Sequence, residues 1–148
     1  MKNLVINSLF VLFALTICSF QAPNPTLQEV FQEALNIEAL ANHLAKDSDG
    51  EILPLTLATN GLLPEKIHLS LAGKVVSIIN SNTETGSILD LKEIKMKGKK
   101  SYLAFQYDEK TIKIRLKKEA GVWVAKTINV KWKNGINFQT ISTSEKHF

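Results

Sequence analysis

One cysteine, one arginine and three histidines in 148 residues leave little material for covalent, metal or base-reading chemistry. A single cysteine cannot form a disulfide within the chain. Seven glycines and four prolines are too few for a collagen-like chain. A composition of 45% hydrophobic and 22% charged residues excludes a disordered tail, and the chain shows no internal repeat of the kind a solenoid needs. The length allows one domain and excludes a multidomain enzyme or a large barrel.

The catalytic motifs are missing as well. There is no Gly-x-Ser-x-Gly elbow, no Ser-x-x-Lys at a helix start and no Cys-His pair. Gly61-Leu62-Leu63-Pro64 and Gly73-Lys74 do not make a phosphate loop, which needs Gly-x-x-x-x-Gly-Lys followed by Ser or Thr. Asp47-Ser48-Asp49-Gly50 has the middle of a calcium loop. Aligning Gly50, however, puts Ala45 at the first ligand position and Thr56 where a bidentate Glu belongs, so the segment reads as a turn that ends a helix. His43, His68 and His147 lack the short spacing of a zinc site. No metal or cofactor is expected. Carboxylate pairs can be drawn from Glu51, Glu65, Asp90 and Glu93, but a chain with 14 acids always offers such pairs.

The only long apolar run is Leu4 to Ile17, broken by Asn7, Ser8 and Thr16 and preceded by Lys2. It is shorter than the ~20 residues of a membrane span and reads as the core of a signal peptide. The expected division is a removed leader, 1–22, and a single domain, 23–148, exported to the periplasm or secreted. Cys18 closes Leu15-Thr16-Ile17-Cys18, which resembles the lipid-bearing site of bacterial lipoproteins. Leu15 fits that pattern and Ile17 departs from the small residue it requires. Cys18 is thus either lipidated, anchoring the domain in the envelope, or discarded with the leader.

From Thr26 to Lys46 the apolar residues Leu27, Val30, Phe31, Ala34, Ile37, Ala41 and Leu44 recur at helical spacing, with Thr26 and Glu29 as a capping box. After Gly50 the period changes to two. Strands are expected at 67–71, 75–79, 88–96 with a slip between Leu91 and Ile94, 102–107, 111–117, 122–132 and 136–141. The turns between them are too short for parallel crossovers. The predicted fold is α+β: one N-terminal amphipathic helix on a curved antiparallel sheet of about five to seven strands.

The segment Tyr102 to Val130 has a strand, a tight turn, then Thr111-Ile112-Lys113-Ile114-Arg115-Leu116-Lys117-Lys118-Glu119-Ala120-Gly121-Val122-Trp123-Val124. It resembles the last hairpins of cystatin-like or NTF2-like exported bacterial domains. The resemblance implies a meander wrapped around a helix, in its simpler cystatin-like form. It carries over no active-site residue.

Charge divides the domain. Residues 23–90 hold three basic and nine acidic residues, a net of −6, whereas 91–148 hold 14 and five, a net of +9. Lys113, Arg115 and Lys117 alternate with Ile112, Ile114 and Leu116, and Lys95 and Lys97 with Ile94 and Met96. On neighbouring strands these would form one basic face for an anionic partner: a lipid headgroup, an envelope polymer or an acidic protein surface. The competing role is a solvated face whose lysines protect a sheet edge. Export and a single arginine argue against nucleic acid. Trp123 and Trp132 lie nine residues apart, so an unbulged strand turns them to opposite faces. With Val122, Val124, Ile128, Val130 and Trp132 inward, Trp123 points out beside Tyr102 or Tyr107, either as an aromatic binding platform with Tyr102 or as a plain cross-strand pair at the rim of the core, unless a bulge at Lys126 reverses the assignment. The expected function is non-enzymatic binding. The alternative is a small hydrolase or isomerase with a pocket between helix and sheet, drawing on His68, Asp90 or Tyr102.

Overall fold

The computed structural model describes residues 25–63, 67–80, 87–135 and 138–142. The expected leader, Cys18 and His147 lie outside the described residues. Helix α1 (Pro25–Leu35) opens with proline in the first turn, where a missing amide hydrogen costs nothing. The continuous helix expected to Lys46 is corrected. Ile37 takes an extended conformation (φ −68°, ψ 116°) ahead of a one-turn helix α2 (Glu38–Ala41), and this redirection lets Ile37, Ala39, Leu40 and Leu44 all reach the core. At Asp47 the carboxylate Oδ1 accepts the backbone amides of Asp49 and Glu51, both at 2.9 Å, so the segment with calcium-loop character is a hydrogen-bonded turn.

Among the described residues nine strands follow: β1 (Thr56–Ala58), β2 (Ser70–Leu71), β3 (Lys74–Val75), β4 (Ser77–Ile79), β5 (Ile88–Lys97), β6 (Lys100–Tyr107), β7 (Lys110–Glu119), β8 (Val122–Trp132) and β9 (Phe138–Ser142). Seven of them form one curved sheet in the order β4-β1-β5-β6-β7-β8-β9, and β2 and β3 form a separate hairpin. From β5 to β9 the sheet is an antiparallel meander. Its tight turns follow the chemistry of the sequence: Ala120 and Gly121, with φ of 48° and 81°, supply the two left-handed residues of the β7–β8 turn.

Two parallel pairings correct the antiparallel expectation. β1 lies between β4 and β5 and runs parallel to both, Thr56 meeting Ser77 and Ile88. Lying between two strands, β1 is inaccessible through Leu57 and Ala58, so it lacks the polar alternation that announces a strand. The hairpin expected between 67–71 and 75–79 survives only as β2–β3, because the chain leaves it at Val76 and carries 77–79 into the main sheet.

The core lies between the helices and the inner face of the meander. Leu91, Phe105, Ile112 and Val130 form one inward row across β5 to β8, and Leu103, Ile114 and Ile128 form the next. Phe31 of α1 meets Phe105 edge-to-face, centroids 6.1 Å apart at 84°, a contact worth about 0.5–1.5 kcal/mol beyond area burial. Tyr107 is buried, and its hydroxyl accepts the Ala45 amide at 2.9 Å. The Gln32 carboxamide donates to the Ser70 carbonyl and accepts the Ser70 amide at 2.9 and 3.0 Å, tying α1 to β2 as a strand would.

Register slips shape two strands. Lys92 is an extra residue in β5 between the pairs Leu91↔Phe105 and Glu93↔Ala104, as the slipped phase of the sequence predicts. Lys126 is extra in β8 between Thr127↔Arg115 and Ala125↔Leu116. That second bulge overturns the outward placement of Trp123: it is 3% exposed and packs with Ala125 in the core, while Val122 is exposed and Trp132 is 42% exposed. Lys110 Nζ sits 4.4 Å from the Trp132 ring centroid.

Candidate anion-binding face

The outer face of the meander follows directly from the pairing register. One row across β5, β6 and β7 is Lys97, Lys100, Lys117. The next is Lys95, Tyr102, Arg115, continuing to Thr127 on β8. The third is Ala104, Lys113, Asn129. All five basic residues selected from alternation, with Tyr102, therefore share one side of the sheet. Lys100 joins them because Gly98-Lys99 is a two-residue turn that sets Lys100 opposite Lys97. Sequence alternation alone misses it, along with Thr127 and Asn129, because register across a strand pair has no local signal.

The cations are unequally compensated. Glu93 pairs with Lys95, and Glu119 is held by Lys126 at 2.9 Å and Lys117 at 3.6 Å. The hydrogen bond from Lys126 is the main reason the Glu119 carboxyl lies below the usual carboxylate range, and the bond to Glu93 holds Lys95 above the usual ammonium value. Lys97, Lys100, Lys113 and Arg115 have no carboxylate partner among the described residues.

Two open depressions adjoin on this face. One, of about 450 Å³, is bordered by Lys95, Lys97, Lys100, Lys117 and Lys126. The other, of about 200 Å³, is bordered by Lys113, Thr127 and Asn129. Tyr102 and Arg115 line both. Lys95 Nζ lies 5.8 Å from the Tyr102 ring centroid. With Trp123 in the core, Tyr102 is the aromatic group that remains here from the expected pair.

A wider groove of about 600 Å³ runs between α1 and the β7–β8 turn, past Gln28, Glu33, Val122 and Trp123. Part of its helix wall serves the fold. Glu33 accepts the Ala125 amide and its carboxyl is pushed up by burial, and Gln32 is bonded to Ser70 and Asn36. Trp123 Nε1 is a buried donor without a partner among the described residues.

The acid and base candidates do not converge. Asp90 is buried on the outer face, with its carboxylate engaged by Asn60 and Lys92. It pairs with Gln106, four residues along β6 from Tyr102, a separation of about 13 Å. His68 precedes β2, outside the main sheet, and is exposed. His43 is held low by burial and then by Lys110, whose ammonium donates to the His43 carbonyl at 2.8 Å. Among the described residues no three metal-ligating side chains cluster, and no helix is long and apolar enough to cross a membrane.

Comparison with known proteins returns no matching family model, no matching curated protein and no matching solved structure.

Proposed function

We propose that the domain is an exported, non-enzymatic binding module that holds an anionic partner on the outer face of its meander, in the periplasm, outside the cell or on the envelope. The observation that carries this reading is the alignment of Lys97, Lys100, Lys113 and Arg115 in adjacent register rows, without carboxylate partners, around two open depressions. Converging like charges over a low-dielectric sheet raise the local concentration of an anion and speed its capture. Edge protection accounts for Lys95 and Lys97, because β1 pairs only with Ile88 to Asp90 of β5, but it does not call for Lys100, Lys113 and Arg115, whose strands β6 and β7 are paired on both sides. A helix over a curved meander is also what the cystatin-like resemblance implies, and the parallel insertion of β1 is its main departure.

The test is retention on an anionic matrix at low and moderate salt. Reversal of Lys113 and Arg115 to Glu should abolish salt-dependent retention. Reversal of the exposed Lys46 and Lys133, which changes net charge equally, should only weaken it. Equal losses from the two pairs would mean that net charge, and not this face, does the binding.

A further inference from the structure

The two depressions differ in chemistry, and the difference identifies a ligand. The larger is lined chiefly by ammonium groups: Lys95, Lys97, Lys100, Lys117 and Lys126. The smaller has one ammonium, from Lys113, but adds the Thr127 hydroxyl and the Asn129 carboxamide. Among the side chains that the structure describes, neither that of Thr127 nor that of Asn129 has a hydrogen-bond partner, although both residues are half-buried. A carboxamide and hydroxyls both donate and accept, as neutral sugar hydroxyls require, whereas ammonium groups only donate, as anions require. Arg115 and Tyr102 border both depressions, placing a planar cation and a ring where a ligand would pass from one to the other.

We infer that this face takes an acidic oligosaccharide, a short saccharide bearing sulfate, phosphate or carboxylate groups. A hydroxyl-rich ring sits by Thr127 and Asn129, and the anionic substituents extend over Arg115 toward Lys97, Lys100 and Lys117. Lys113 and Lys117 are about 14 Å apart along β7, so the ligand spans more than one sugar unit. The depressions together, about 650 Å³, fall near the middle of the roughly 300–1,000 Å³ range of small-molecule sites. This inference rests on the basic-face reading. It adds a role for Glu119, which occupies Lys117 and Lys126 with a carboxylate in the ligand's absence. An incoming anion competes with Glu119 for both.

Titration calorimetry of the folded domain with three probes tests it: a sulfated heparin-derived tetrasaccharide, its desulfated, N-acetylated and carboxyl-reduced neutral counterpart, and inorganic triphosphate as an anion without hydroxyl-bearing rings. The sulfated tetrasaccharide should bind about tenfold tighter than either of the others. The combined variant Thr127→Val, Asn129→Ala should remove that preference while leaving triphosphate affinity unchanged, with Tyr102→Phe as a second variant if the first melts early. Glu119→Gln should tighten binding of both anionic probes by about threefold, a gain that loss of a purely structural ion pair does not produce. Triphosphate binding as tightly as the sulfated tetrasaccharide, or losing affinity in parallel with it, overturns the saccharide inference and leaves the basic face standing. Binding of neither anionic probe overturns both.

Discussion

The two faces of β5 to β8 are built from the same strands and do opposite work. Inward, Leu103, Phe105, Ile112, Ile114 and Ile128 are at most 1% exposed and pack against α1 and one another. Outward, alternate residues of those strands carry Lys97, Lys100, Lys113 and Arg115 without carboxylate partners among the described residues. Strand periodicity makes this separation possible, because a change on one face leaves the side chains of the other in place. Stability and recognition can therefore be altered one at a time.

The comparison is tested most severely by truncating one residue on each face. Phe105→Ala should cost about 3–5 kcal/mol in urea unfolding, since it removes the ring that meets Phe31 and leaves a cavity. Arg115→Ala, in the neighbouring strand and pointing away, should stay within about 0.5 kcal/mol. A large cost at Arg115 would show that the outer face also holds the fold together.

A sharper cut uses the bulge in β8. Lys126 is the one residue of that segment without a partner on β7, so deleting it restores regular alternation while Trp123, Ala125, Ile128 and Val130 keep their faces. The domain should still fold, with only a small drop in its urea midpoint, because what is lost is a partly exposed ion pair with Glu119. Deleting Asn129 instead throws the rest of the strand out of phase and should unfold or rearrange the domain. Equal damage from the two deletions would refute the bulge assignment.

The smallest effect concerns Glu33 at the rim of the inner layer. Burial raises its carboxyl above the ordinary 4.5, and the Ala125 amide partly offsets that rise. A raised carboxyl favours the folded state when protonated, so its contribution is full below the unfolded value and lost as pH rises through the folded one. Glu33→Gln keeps an acceptor for the Ala125 amide and removes the titration. The variant should therefore melt slightly above the native domain at pH 7 and lose that advantage as pH falls toward 4.5. A difference that does not change with pH would assign the effect to packing.

These particulars also explain what could be read in advance. The stripe from Leu27 to Ala34, the strands of the meander and the slip at Lys92 were legible because each leaves a periodic trace in consecutive residues. β1 left none, since a three-residue strand between two others shows no alternation, and parallel pairing of Thr56 with Ile88 has no local signature. Trp123 was placed outward because one extra residue inverts every assignment before it in the strand. At the face itself, Lys113, Arg115 and Lys117 were visible on one strand. Lys100, Thr127 and Asn129 required the register between strands, which tertiary packing sets.

The insertion of β1 between β4 and β5 has a kinetic consequence. The β5–β6, β6–β7 and β7–β8 pairings join neighbours across two-residue turns, so they close small loops and form early. β1 must wait for the chain from Thr59 to Ser87 to fold back before it can meet β5. Until it does, the open edge of β5 carries Leu89 and Leu91 beside unpaired backbone groups. The half-assembled sheet is then a template for another copy of itself, so the docking of three residues, Thr56 to Ala58, sets how long that aggregation-prone edge stays open.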